Sequence, residues 1–252
     1  MSTIPIIGNS YFHRIVTSIE KAQLKEINKQ VPRSYIGASG LGQECERRIQ
    51  YNYMHPELKI LPEPRMARIW AFGDMIETYI EKLLRDAKFD LASEREDGSQ
   101  YGFELAEGKI KGHIDGVLRG GPKIMEYPAL AEFKSAKDSS FKKFVKNGLA
   151  NENATYYSQV QMYQKCMNLL NPALWLVMNK DTSEIYAELV PHHAAFADTL
   201  VDKAERILAA SEAGDVLKRE YLDKNNWHCK YCDFKDECWK EEMEATTPEW
   251  VQ

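Results

Sequence analysis

Asp115, Glu132 and Lys134 are the residues whose types and spacing most suggest chemistry. The run Gly112-His113-Ile114-Asp115-Gly116 precedes Glu132-Phe133-Lys134. Side chains two apart in a strand share a face, so Glu132 and Lys134 project together if 129–134 is a strand. If the segment bearing Asp115 pairs antiparallel with it, Asp115 joins them. Adjacent carboxylates suit a hard divalent cation such as Mg²⁺ or Mn²⁺, and the Phe133 carbonyl can add a ligand. A lysine beside that ion can orient or help deprotonate a water and offset charge building on a phosphoryl group. Carboxylates, cation and lysine are the minimal kit for hydrolysing a phosphodiester.

Other residues can join this set. Glu77 follows Gly73 on a long amphipathic helix and could supply a third carboxylate to the metal. Gln159 and Tyr163 are four apart on a helix and share a face. An amide and a phenol so placed can hydrogen-bond phosphate or stack on a base. A second constellation is made of thiols. Cys229, Cys232 and Cys238 lie close together near one end, and Cys45 lies far upstream. Four thiolates can hold zinc or an iron–sulfur cluster. His228 leaves open a zinc site that uses histidine in place of Cys45. Cys166 sits among Met162, Met167 and Leu169 and reads as a core residue.

Hydrophobic residues make up 44% of the chain and charged residues 28%, the balance of an ordinary globular protein. Its 252 residues can form one large core with a small appendage. No apolar run reaches the roughly 18 residues of a membrane span. Met1 to Ser10 lacks the pattern of a secretory leader, so a reducing, cytoplasmic setting is expected, where clustered cysteines more often bind metal than form disulfides. The net charge of −5 argues against a uniformly basic surface, though not against a local basic groove. Lys137, Lys142, Lys143 and Lys146, with Arg47 and Arg48, could line such a groove or simply be solvated. Phe141 and Phe144 between them could be core or could contact bases. There is no Walker A loop, so no ATP-driven motor is encoded.

The elements that must position these residues follow from periodicity. Helices are expected over 11–29, with Ile15, Ile19, Ala22 and Ile27 along one stripe, and over 66–87, with Phe72, Ile76, Ile80 and Leu84 on the apolar face. Further helices are expected over 138–149, 153–170 and 192–212. Alternation over 109–118 reads as one strand, and strands also fit 129–134, 173–179 and 184–190. That order suggests an α/β or α+β fold, a mixed sheet flanked by helices. The expected division is a helical segment at 1–35, a core at 36–220 and a cysteine-rich segment at 221–252 that returns to Cys45.

In this order, Gly73…Glu77, Gly112-x-x-Asp115-Gly116, Glu132-x-Lys134 and Gln159-x3-Tyr163 resemble the RecB-like branch of the PD-(D/E)XK nucleases. The frame Cys45-Glu46-Arg47-Arg48…Cys229-x2-Cys232-x5-Cys238 resembles the branch's iron–sulfur members, among them CRISPR-adaptation nucleases, the AddB nuclease domain and phage-encoded relatives. Ile114 stands where the superfamily name places proline, and Glu77 where many members carry histidine. The resemblance implies a restriction-endonuclease-like core and a Mg²⁺- or Mn²⁺-dependent deoxyribonuclease. Glu77, Asp115, Glu132 and Lys134 would be catalytic, and Gln159 and Tyr163 would bind the strand. It also implies a structural 4Fe–4S cluster on Cys45, Cys229, Cys232 and Cys238. An exonuclease on single-stranded or frayed DNA ends is the first expectation. An endonuclease working with a partner complex and a non-catalytic DNA-binding module are the alternatives. DNA is the expected partner, with a second copy or a recombination protein possible.

Overall fold

The computed structural model describes residues 9–240. Most of Met1–Ser10, on which the reading of a missing leader rests, lies outside the described residues, as do the outer parts of the expected end segments.

The helices are α1 (Asn9–Ile27), α2 (Glu46–Met54), α3 (Pro64–Asp86), α4 (Asp138–Asn147), α5 (Leu149–Glu152), α6 (Ala154–Cys166), α7 (Ala194–Ala213), α8 (Trp227–Lys230) and α9 (Lys235–Cys238). The strands are β1 (Ile36–Gly37), β2 (Asp90–Ala92), β3 (Gly102–Leu105), β4 (Ile110–His113), β5 (Gly116–Gly120), β6 (Ala129–Ala136), β7 (Ala173–Asn179) and β8 (Ile185–Val190). They form a five-stranded sheet, ordered β2-β5-β6-β7-β8, and a three-stranded sheet, β1-β4-β3. In the larger sheet β6 and β7 are parallel and the other neighbours antiparallel. A parallel pair needs a long crossover. Here α4, α5 and α6 make it, so the chain between Glu132 and β7 is what carries Gln159 and Tyr163.

Alternation along the strands puts one core on each face of this sheet. Leu130, Trp175 and Val177 pack with Phe141 and Phe144 of α4, Val160 and Met162 of α6, and Leu200 and Ile207 of α7. On the other face Ala131, Phe133, Leu174 and Leu176 meet Ile80 and Leu84 of α3. Full burial of side chains such as Phe133 and Trp175 contributes roughly 1.5–3 kcal/mol each. Phe141 and Phe144 are thereby core residues, not base contacts.

Three expectations need correction. The stretch 109–118 is not one strand. It breaks at Ile114-Asp115, where the chain leaves the small sheet as β4 and joins the large one as β5. Ile114 is fully buried at the break. The stripe on α1 is mostly not a core face: Ile15 and Ile19 are 63% and 52% exposed, and only Ile27 is buried. Glu20 and Gln23 face α3 instead, through Arg68. On α3, Ile80 and Leu84 are buried but Phe72 is 62% exposed, because the sheet covers only the helix's other side. Among the described residues, no helix is long and apolar enough to cross a membrane.

Candidate active site and cysteine centre

The break at Asp115 builds the site. Gly116 pairs with Ala131 in the antiparallel β5–β6 ladder, which sets Asp115 beside Glu132 and Phe133. The Phe133 amide donates to Asp115 Oδ2 at 2.6 Å. Lys134 Nζ donates to Glu132 Oε1 at 2.5 Å and to the Phe133 carbonyl at 2.8 Å, and it lies 3.8 Å from Asp115 Oδ2. From α6, Gln159 Nε2 donates to the same Glu132 oxygen at 2.6 Å and to the Tyr163 hydroxyl at 3.1 Å. Glu132 Oε2 is buried without a partner.

The electrostatics are those of too much negative charge in a dry place. Burial, opposed by Lys134 and reinforced by Asp115, pushes the Glu132 carboxyl up to about 8. Burial and Asp115 push Glu77 up to about 7, against the pull of Lys134. Burial also raises Asp115, while Lys134 and the Phe133 amide work the other way. Burial opposes charge on Lys134, but Glu132 and Asp115 outweigh it and hold the ammonium above its usual value. Three carboxylates facing one ammonium are short of positive charge.

That deficit and the orphaned Glu132 oxygen fit a divalent cation held by Glu77, Asp115, Glu132 and the Phe133 carbonyl. Among the described residues, no three His, Cys, Asp or Glu side chains are already gathered as metal ligands. The physical reason at this site is Lys134, whose ammonium lies between Glu132 and Asp115 and also engages the Phe133 carbonyl.

The expected site residues therefore split into two tiers. Asp115, Glu132, Phe133 and Lys134 are in mutual contact, and Glu77 couples to them electrostatically. Gln159 and Tyr163 lie behind the carboxylates, both buried, with Tyr163 edge-on to Phe103 at 6.0 Å. Burial removes both from direct stacking on a base. Sequence reasoning missed Tyr156, whose ring centroid is 5.7 Å from Lys134 Nζ. It stands three residues before Gln159, on the same helical face, and that spacing could have found it. The expected basic wall is also revised. Lys142 pairs with Asp138 and Lys143 with Glu152, while Arg47 turns inward to the Leu217 carbonyl and Cys238.

Cys45, Cys229, Cys232 and Cys238 line one cavity of about 460 Å³, and all five cysteines of the chain are free thiols. Cys45 caps the start of α2, and the others lie on α8, α9 and the turn between them. Burial raises the Cys229 thiol, and Cys238 and Cys45 raise it further. Burial likewise raises Cys232, eased by the Phe234 amide and Arg48. Arg47 Nη1 lies 3.7 Å from Cys238 Sγ. The four part-buried thiols thus share one cavity with Arg47 and Arg48, but, among the described residues, they are not drawn together as a metal-ligating group. His228 lines the same cavity, stacked on Tyr221 at 4.6 Å. Cys166 lies apart, packed against the main core.

No protein-family model matches the chain, and a search of curated proteins finds no match. Solved structures do match. The crystal structure of an alkaline exonuclease (LHK-Exo) from Laribacter hongkongensis is 13% identical, with 79% of this chain and 93% of that one covered at a TM-score of 0.52. LHK-Exo in complex with dAMP is 12% identical, with 91% and 100% covered at 0.53. The chain shares the fold of that exonuclease. The structure of SSO0001 aligns at a TM-score of 0.49 and 22% identity, covering 87% of this chain and 94% of that one, a likeness too loose to add to the argument.

Proposed function

We propose that the protein is a divalent-metal-dependent deoxyribonuclease acting as an exonuclease on single-stranded or frayed DNA ends. The observation that carries this reading is the cluster of half-buried Glu77 and Asp115 and buried Glu132 around Lys134, with one Glu132 oxygen unpartnered. Its setting on the fold of an alkaline exonuclease supports the reading further. Mg²⁺ or Mn²⁺ bound there would supply Lewis-acid stabilisation of the charge that develops on the scissile phosphate.

The chain's own groups supply the rest. Lys134 stays protonated because Glu132 and Asp115 hold it so. It therefore acts as a charged donor, orienting a water or a phosphate oxygen, and not as a base. Glu132 is fixed by Gln159 and Lys134 on one oxygen, which leaves the other free for the cation. Asp115 is anchored by the Phe133 amide. Gln159 and Tyr163 are positioning residues in this scheme, acting through Glu132. The four cysteines would hold a 4Fe–4S cluster, with zinc as the alternative, and its role would be to join α2 to the C-terminal segment.

End-labelled single- and double-stranded DNA, incubated with the protein in Mg²⁺, Mn²⁺ or EDTA, tests the proposal. Shortening from the ends that stops in EDTA is expected. Cleavage of circular single-stranded DNA would convert the reading to an endonuclease. DNA binding without cleavage in either metal would leave a non-catalytic module.

A further inference from the structure

Lys134 engages the same oxygens that would hold the divalent cation. Its ammonium donates to Glu132 Oε1 at 2.5 Å and to the Phe133 carbonyl at 2.8 Å, and it lies 3.8 Å from Asp115 Oδ2. An ammonium and a divalent ion cannot share one set of oxygens, because like charges so close together in a poorly solvated site repel strongly. Lys134 must therefore give up part of these contacts before the carboxylates can hold a metal. Its fourth neighbour is not a metal ligand. The Tyr156 ring centroid lies 5.7 Å from Lys134 Nζ, inside the reach of a cation–π contact. That ring is fixed from two sides. The Tyr156 amide donates to Asn153 Oδ1 at 3.0 Å in the N-cap of α6, and the ring stacks on Phe144 at 6.5 Å, which in turn meets Trp175 edge-on at 4.8 Å. Lys134 keeps 16% of its side-chain exposure, so its ammonium is not sealed in, and its four-carbon stem is flexible.

We propose that Tyr156 is a positioning residue of the carboxylate site, and that its ring takes over the Lys134 ammonium when the carboxylates hold a divalent cation. Lys134 then exchanges carboxylate partners for the negative face of an aromatic ring and keeps its charge beside the site. Without that face the ammonium would go on competing for Glu132 and Asp115, or would lose its partners in a place that water reaches poorly. The ring face is what the role needs, so the Tyr156 hydroxyl is dispensable for it. Tyr156 differs in this from Gln159, which acts on Glu132 directly by a hydrogen bond. The inference rests on the metal-dependent reading of the site and deepens it by naming the residue that lets lysine and metal share one cluster.

The test measures Mn²⁺ affinity of the full chain by calorimetry, without DNA and at one fixed pH. Asp115→Asn should abolish binding, which checks the metal site itself. Tyr156→Leu should weaken binding about three- to tenfold, the size of a partly desolvated cation–π contact, while Tyr156→Phe, which keeps the ring face, should stay within about twofold of the wild type. In a Lys134→Met background, Tyr156→Leu should change affinity by less than about twofold, because the ammonium it serves is gone. A merely structural role for Tyr156 would carry the same loss into both backgrounds. A second readout stands even if Lys134→Met fails to fold. With lysine isotope-labelled at Cε and the signal assigned through Lys134→Arg, Mg²⁺ should move the Lys134 Hε resonances of the wild type upfield as they pass onto the ring, and Tyr156→Leu should remove that shift. The proposal is overturned if Asp115→Asn abolishes Mn²⁺ binding while Tyr156→Leu leaves it unchanged, if the Tyr156→Leu loss persists without Lys134, or if Mg²⁺ leaves the Lys134 resonances where they were. Mn²⁺ binding that Asp115→Asn does not alter would overturn the metal reading, and this inference with it.

Discussion

At the residue scale, the cluster around Lys134 makes opposite demands on acid and base. Removing a metal-holding carboxylate should abolish hydrolysis, so Asp115→Asn and Glu132→Gln are expected to lose at least about a thousandfold in rate. Wild-type cleavage by Asp115→Asn would sink the assignment. Lys134→Met should lose rate while keeping DNA affinity measured in Ca²⁺. The raised carboxyls also predict a pH effect on stability. Glu132 near about 8 and Glu77 near about 7 keep protons in the folded state that the unfolded chain releases near its ordinary value of about 4.5. Between those values the folded state binds more protons, so stability falls as pH rises. Metal-free protein should show a Tm that declines from about pH 5 to pH 8, and Glu132→Gln should flatten much of that decline. Mg²⁺ should restore stability at the alkaline end, where the carboxylates are free to bind it. A Tm that rises across this window in the metal-free protein would contradict the picture.

At the element scale, α6 is the rod that connects the two centres. Its first turn lines the cysteine cavity, and its middle delivers Gln159 to Glu132. Gln159→Ala should therefore lower the rate by about ten- to a hundredfold with little change in DNA affinity, as expected when a buried carboxylate loses a hydrogen bond that holds it. An affinity loss with unchanged rate would return Gln159 to direct strand contact. Gly42 sets the seat of this helix. A Cβ there would lie 2.5 Å from the Thr155 Cα and 2.9 Å from the Ser158 Cβ, with backbone on the far side. Gly42→Ala should cost roughly 1–3 kcal/mol in denaturant unfolding, the range of an overpacked interior. The sequence made β6, β7, β8 and α6 legible because period and length agreed there. It did not make the break at Ile114-Asp115 legible, since two strands separated by two residues keep the same alternation as one. Nor did it show that Ile15, Ile19 and Phe72 stay exposed, because an amphipathic stripe says that a face is apolar and not what covers it. Tyr163 carried the same ambiguity: its helical spacing placed it beside Gln159, but only the packing of Phe103 showed it to be buried.

At the scale of the whole molecule, the question is what ties the chain ends to the core. Lys203 reaches the Gln43 carbonyl, Gln50 bridges Asp215 and Leu217, and Arg219 donates to the Cys238 carbonyl beside Trp239. These contacts bring α2 and the last helices around the cysteine cavity. The segment from α8 to α9 has two helices of four residues each, too short to stand alone. A centre on four thiolates would supply the order that so little regular structure cannot, by closing a long loop through Cys45. Anaerobically purified protein should then be brown, with broad absorption near about 400 nm and iron and sulfide in equal amounts. Cys45→Ser should bleach it as fully as Cys232→Ser, although Cys45 lies at the other end of the chain. Both should raise the rate at which protease clips the segment after α7. Cys166→Ser should keep colour and resistance, since Cys166 packs in the core. A colourless protein holding one zinc per chain would replace the cluster by a zinc site. If zinc were then retained by Cys45→Ser and lost in His228→Ala, the histidine-bearing ligand set would be the correct one. In either outcome the carboxylate cluster keeps its own test, because no thiol touches Glu77, Asp115, Glu132 or Lys134.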